Sequence, residues 1–268
     1  MRSLLTALIF LFGLFPCAPV LGIFCLIGRS DPEKCHRLSF RFVRAFLRAV
    51  VRVSGAEIEV IGRDHIPKDR GCVFIANHRS YYDIFLTYAL AEREVGYIAK
   101  QEIARIPLVG RWMKNIRCLF LNREDPREGI KTIQAGIAQV EAGIPMWIFA
   151  EGHRTSGDTM LPFKDGSFKL ATKPGAPIIP VTIAGTEAIF EEHMPWIRKA
   201  KVTLVFGTPI ETAELDRKAQ KQLAGQVQDV VAGTLRELAL RDGREPADPA
   251  VDPDLYQKQR GKPADDGS

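Results

Sequence analysis

The sequence predicts an α/β domain with a mostly parallel, mixed central sheet flanked by helices. Short apolar runs of strand length alternate with segments whose apolar residues recur at helical spacing. Polar, chemistry-bearing residues stand directly after several of those runs, where open α/β sheets place their sites. At 268 residues, with no internal repeat or long flexible linker, the chain has room for one sizeable core plus attachments.

Residues Ser3 to Ile27 carry no charge and are dominated by Leu, Ile, Phe, Val and Ala. A helix of that length spans about 37 Å, enough for a hydrocarbon core of about 30 Å. A signal peptide is the alternative, but its apolar region is shorter, about 7–15 residues. Residues 1–28 are therefore expected to be a membrane anchor, with Pro16 and Pro19 leaving a bent or re-entrant path open. In residues 29–54 the arginines Arg37, Arg41, Arg44, Arg48 and Arg52 fall at steps of three and four, along one helical stripe. No acidic residue occurs between Lys34 and Ala56, so this basic amphipathic helix is expected to lie on anionic lipid. Because the cations follow the apolar segment, the working portion of the chain is expected on the cytoplasmic face of a membrane.

Residues 55–241 form the expected domain. Its candidate strands are Glu57–Ile61, Cys72–Ala76, Val95–Ala99, Cys118–Leu121, Met146–Phe149, Ile178–Ile183 and Val202–Phe206. Asp125-Pro126-Arg127-Glu128 has the form of a capping box with proline at the first helical position. Ile130, Ile133, Ile137 and Val140 then recur at helical spacing as far as Gly143. A second helix is expected from Ala213 to Leu240. Residues 242–268, rich in Pro, Asp and Gly, are expected to be a disordered tail.

Composition narrows the partners. Thirty-seven Lys and Arg against 32 Asp and Glu leave a net charge of +5, which favours phosphates or a membrane surface. No nucleic-acid partner is expected. The five cysteines are odd in number and lack C-x-x-C spacing, consistent with reduced thiols and no zinc site. His36, His65 and His193 have no partner at metal-ligand spacing and are expected to be ordinary surface residues, with no metal and no bound cofactor.

The chemistry concentrates after the strands. Asn77-His78-Arg79-Ser80-Tyr81-Tyr82-Asp83 separates the buried run Cys72–Ala76 from a helical segment, so a histidine and an aspartate share one short turn. A lone His–Asp contact is often just a satisfied turn. Here it is joined by Arg123 after Leu119–Leu121, by Glu151-Gly152-His153-Arg154 after Met146–Ala150, and by Lys100 after Val95–Ala99. Three cations beside a His–Asp pair describe a phosphate pocket next to a base. No G-x-S-x-G nucleophile turn is present.

On these blocks the chain resembles the membrane glycerolipid acyltransferases typified by the 1-acyl-glycerol-3-phosphate acyltransferases. Asn77–Asp83 fits the family's NHxSxxD, Leu119–Arg123 the block ending in arginine, Phe149–Arg154 the FPEGTR block, and Ala176–Val181 the V-P-I-V-P-V type. Lesser echoes are Ala99–Glu102 with Ile106–Gly110, and Phe163–Phe168. Ala150, His153 and Asn115 depart from the residues common in the family. The resemblance covers residues 55 to 210. It implies that His78 is the general base on a lysophospholipid hydroxyl that attacks acyl-CoA or acyl carrier protein, and that Asp83 orients the imidazole. It further implies that Arg123, Glu151, Gly152 and Arg154 form the acceptor's phosphate site, with Asn77, Ser80 and Lys100 assisting. Acylation of glycerol 3-phosphate or of another lyso-lipid, such as a lyso-ornithine lipid, is the nearest competitor. A lipid or thioester hydrolase and a non-catalytic lipid-binding module are the rivals from other classes.

Overall fold

The computed structural model describes residues 17–123, 125–155 and 160–244. Seven strands, β1 (Glu57–Ile61), β2 (Val73–Ala76), β3 (Gly96–Lys100), β4 (Leu119–Leu121), β5 (Met146–Phe149), β6 (Ile178–Ala184) and β7 (Lys201–Phe206), form one sheet in the order β1-β7-β6-β2-β5-β3-β4. The run from β6 to β4 is parallel throughout, β7 is antiparallel to β6, and β1 is parallel to β7. The seven expected strands are all present with ends shifted by a residue or so; Lys100, expected just past β3, is its last residue.

β2 is central, and its side chains alternate between two cores. Phe74 and Ala76 join one cluster, Val73 and Ile75 the other. A strand covered on both faces has no position for a polar residue, which is why it is a continuous apolar run. The helices are α1 (Cys17–Ser30), α2 (Pro32–Ser54), α3 (Tyr81–Leu90), α4 (Val109–Asn115), α5 (Pro126–Glu141), α6 (Asp165–Thr172) and α7 (Arg217–Arg241). α2 and α3 contribute to the Phe74 side, and α5, α6 and α7 to the Val73 side.

Local chemistry sets the helix ends. Asp125 caps α5 by accepting from the Arg127 and Glu128 amides, and Gly143 beyond its C-terminus takes φ +82°. Val140 is buried against the sheet while Ile130, expected on the same face, is exposed. α7 starts at Arg217 rather than Ala213, because Asp216 caps it by accepting from the Ala219 amide.

α2 is the main departure at the level of domains. Its Phe40, Leu47, Val50 and Val51 are buried in the core beside α3, so its apolar face belongs to the domain and does not enter lipid. The stripe is split: Arg37, Arg41, Arg48 and Arg52 are exposed, with Arg48 also donating to the Ala89 carbonyl at 2.9 Å, whereas Arg44 is half-buried over the Phe40 ring. α1 packs on α2 and α4 through Phe24, Phe42 and Trp112. Pro19 sits in the first turn of α1, where a missing N–H leaves no hydrogen bond unmade. No described helix is long and apolar enough to cross a membrane, and residues 1–16 and 245–268, the rest of the expected anchor and nearly all of the expected tail, lie outside the described residues.

Two histidines expected at the surface are tied to the backbone instead: His36 Nδ1 meets the Asn115 carbonyl and His65 Nδ1 the Phe206 carbonyl, each at 2.8 Å. His193 ends a short 3-10 turn. The five cysteines are free thiols.

Entry into β2 demands a glycine. A Cβ on Gly71 would stand 2.1 Å from the Val140 carbonyl oxygen, a backbone-to-backbone clash that no rotamer relieves. Gly71→Ala is expected to destabilise the fold by about 1–3 kcal/mol, read as a lowered denaturant midpoint; an unchanged midpoint would mean that α5 yields at its C-terminus.

Candidate active site

The C-terminal ends of β6, β2, β5, β3 and β4 share one rim because these strands are parallel. Adjacent β2 and β5 send their following helices to opposite faces, α3 to the Phe74 side and α6 to the Val73 side. The divergence opens a crevice between the two strand ends, the switch point where such sheets bind ligands. The turn Asn77–Ser80 leaves β2 into this crevice, and the turn Ala150–Thr155 leaves β5 beside it.

His78 and Asp83 meet at 2.8 Å through Nδ1 and Oδ2. The five-residue spacing works because Ser80 caps α3, which puts Asp83 at the third helical position of a capping box, pointing back at its own turn. Oδ2 also accepts from the Arg79 and Ser80 amides, and Oδ1 accepts from the Thr186 hydroxyl just past β6. Asp83 is fully buried, and His78 keeps 14% of its side chain exposed. The imidazole stacks on Phe149 at 4.1 Å, so two contacts set its plane. With Nδ1 donating to a carboxylate, Nε2 carries the lone pair, and it has no hydrogen-bond partner among the described residues.

A second buried carboxylate holds the turn from the other side. Glu151, expected at a phosphate, instead accepts from the His78 amide at 2.7 Å, the Leu161 amide at 2.8 Å and the Thr155 hydroxyl. Burial pushes its carboxyl up to about 7, against these donors and the nearby Arg79 charge, which favour the ionised form. Thr155 in turn donates its amide to the His78 carbonyl, so β2 and β5 are laced together at the base of the crevice. Glu187, facing Arg79 at 3.7 Å, is likewise raised by burial.

The cations lie on the β5 side. Arg154 sits 3.5 Å above the Tyr81 ring and approaches Glu191 at 3.4 Å. Arg123 donates to the Gly152 carbonyl at 2.5 Å and contacts His153 Nε2 at 3.4 Å, so the two arginine blocks meet across the rim. Gly152 takes φ +78°, and a Cβ there would meet Lys164 Nζ at 2.7 Å. Glycine is needed for both the conformation and the close approach of this lysine.

Other expected site residues have their polar atoms engaged within the protein. Both amide atoms of Asn77 pair with the Ile183 backbone, at 2.8 and 2.9 Å, tying β2 to β6. The Ser80 hydroxyl accepts from the Tyr82 amide and donates to Glu191. Lys100 is half exposed and pairs with Glu102 at 3.0 Å. Sequence reasoning missed Thr186 and Glu191, and placed Phe149 and Lys164 in family-like blocks without giving either a role. Thr186 was within reach of the strand-end criterion, since it follows β6 through Gly185. Glu191 carries no local signal: it joins the site only through the Ser80 hydroxyl, the Tyr81 amide and Arg154.

Known proteins share the sequence and fold of this chain. The profile of the Acyltransferase family matches residues 57–184. The 1-acyl-sn-glycerol-3-phosphate acyltransferase of Saccharomyces cerevisiae is 29% identical over 223 residues, covering 82% of this chain and 72% of the yeast protein. That of Borreliella burgdorferi is 30% identical over 205 residues, covering 76% of this chain and 82% of its own length. The crystal structure of the 1-acyl-sn-glycerophosphate acyltransferase of Thermotoga maritima superposes with a TM-score of 0.69 at 26% identity, over 89% of this chain and 98% of that one. The chain belongs to the acyltransferase family that includes these glycerophosphate acyltransferases.

Proposed function

We propose that the protein transfers an acyl group from acyl-CoA or acyl carrier protein to the free hydroxyl of a lysophospholipid, converting 1-acyl-glycerol 3-phosphate to phosphatidic acid. The observation that carries the reading is the His78–Asp83 pair, held at 2.8 Å at the switch point with Nε2 unbonded and the Arg154 turn beside it. His78 Nε2 takes the acceptor's hydroxyl proton as that oxygen attacks the thioester carbonyl. The new C–O bond forms, the C–S bond breaks, and the imidazolium returns its proton to the leaving thiolate. Asp83 stabilises the imidazolium and keeps the productive tautomer. No acyl-enzyme is required, in keeping with the engaged Ser80 hydroxyl.

Arg123, Arg154 and Lys164 are read as the cations that meet the acceptor phosphate, with Gly152 allowing the close approach. Glu151 acts on His78 through its backbone amide and is a positioning residue. Asn77 and Ser80 are read the same way, one holding the strand ends and the other the start of α3. The apolar segment Ser3–Ile27 and the exposed Arg37, Arg41 and Arg52 support a working domain held at the cytoplasmic face of a membrane rich in anionic lipid.

An acceptor panel with both thioester donors tests the reading. Turnover is expected with lysophosphatidate, and His78→Ala is expected to lower kcat by about 10²–10⁴-fold while leaving the circular dichroism unchanged. Fatty acid released without an acceptor would make the protein a hydrolase, and full activity in the variant would remove His78 as the base. Arg154→Ala is expected to raise KM for a phosphate-bearing acceptor about 10–100-fold with little change in donor KM; equal losses on a phosphate-free acceptor would sink the phosphate assignment.

The raised carboxyl of Glu151 has a stability signature. A carboxyl that binds its proton more tightly in the folded chain contributes most at and below the ordinary carboxylate range, and that contribution is lost as pH rises through about 7. Denaturant midpoints of the natural protein relative to Glu151→Gln are therefore expected to fall between about pH 5 and about pH 8. A constant difference would mean that Glu151 stays ionised throughout.

A further inference from the structure

Three of the large apolar side chains left in water stand on segments that leave the rim carrying His78. Met194 and Trp196, each 63% exposed, lie on the segment that follows β6, and Ile106, 49% exposed, lies on the segment that follows β3. Both segments leave strand ends at the same rim as His78. The loop carrying Met194 and Trp196 is anchored to the site, because Glu191 at its start accepts from the Ser80 hydroxyl and the Tyr81 amide. Nothing in the described protein covers these three side chains.

Their neighbours give the surface its sign. Arg105 precedes Ile106 and Arg198 follows Trp196 by two residues; both are exposed, and neither has an ion-pair partner among the described residues. Glu192 is an exposed acid on the same loop, and the adjacent Lys199 pairs with Glu57. An exposed tryptophan beside unpaired arginines suits the interface of an anionic bilayer, where the indole lies at headgroup level with its N–H still wet. A protein partner would offer no reason for the patch to surround an opening that a lipid acceptor has to enter.

We propose that Ile106, Met194 and Trp196, flanked by Arg105 and Arg198, form a membrane-docking surface that seats the mouth of the site in an anionic lipid leaflet. It is separate from the N-terminal apolar segment and from the arginines of α2. The inference rests on the lysophospholipid reading, and it names the face through which the lipid acceptor enters.

Tryptophan fluorescence tests it directly. The sequence has three tryptophans; Trp112 and Trp147 are 7% and 3% exposed, so short-range quenching from lipid reports on Trp196. On vesicles of phosphatidylcholine and phosphatidylglycerol with brominated acyl chains, the full chain is expected to lose a substantial part of its emission, and Trp196→Phe is expected to lose much less, the remainder coming from Trp112 beside Phe24; equal losses in the two proteins would overturn the inference. Met194→Asp and Trp196→Asp are each expected to weaken vesicle partitioning about ten-fold or more without changing turnover of a short-chain soluble acceptor. Sedimentation with vesicles but no quenching would overturn this inference and leave the proposed activity standing. Quenching in a protein without acyl transfer would uphold the surface and sink the activity. A change of oligomeric mass in the aspartate variants, with vesicle partitioning unaffected, would make the face a contact between copies of this chain and overturn the inference.

Discussion

Four donors converge on the buried carboxylate of Asp83, and the rest of the site depends on that convergence. The imidazole of His78, two amides of its own turn and the Thr186 hydroxyl all end on it. One side chain thus joins the end of β2, the start of α3 and the segment after β6. A buried carboxylate without such donors would be costly, so the turn, the helix cap and the neighbouring strand end must be correct together. The histidine is presented with its plane and tautomer already chosen.

Glu151 answers Asp83 from the opposite side. It takes the amide of His78 where Asp83 takes its ring, so the residue is held by backbone and side chain at once. The difference lies in what each carboxylate can do for chemistry. Asp83 touches the imidazole, whereas Glu151 hydrogen-bonds to backbone amides and a hydroxyl and reaches His78 through its amide. Both sit at the point where β2 and β5 part their helices to opposite faces, so the crevice exists because of the topology.

α2 shows how one element can serve two surfaces. Its apolar face completes the core beside α3, and its remaining arginines face outward. A helix whose apolar side is already buried can meet a bilayer only through charge, which is reversible and salt-sensitive. The apolar residues exposed around the mouth supply a contact of a different kind, and the two together would orient the domain.

Much of the fold and the heart of the site were legible in the sequence, for a local reason. A central parallel strand must be a continuous apolar run, and the pairing of His78 with Asp83 is set by a five-residue turn and a helix cap, both properties of neighbouring residues. The arginine blocks were legible as strand ends, because parallel strands bring their C-terminal ends to one rim whatever their order. Roles that depend on distant partners were not legible. The three donors that meet Glu151 and the pairing of the Asn77 amide with Ile183 could not be read from spacing. Glu191 reaches Ser80 across 111 positions, and α2 looked like a lipid-facing helix because its periodicity shows that one face is apolar without showing what covers it. The sequence by itself determined the strands, the caps and the His78–Asp83 turn, since these follow from spacing and local hydrogen bonding. Only the tertiary structure decided which polar groups are spent on holding the turn and which face the crevice, because that depends on burial and on partners far away in the chain.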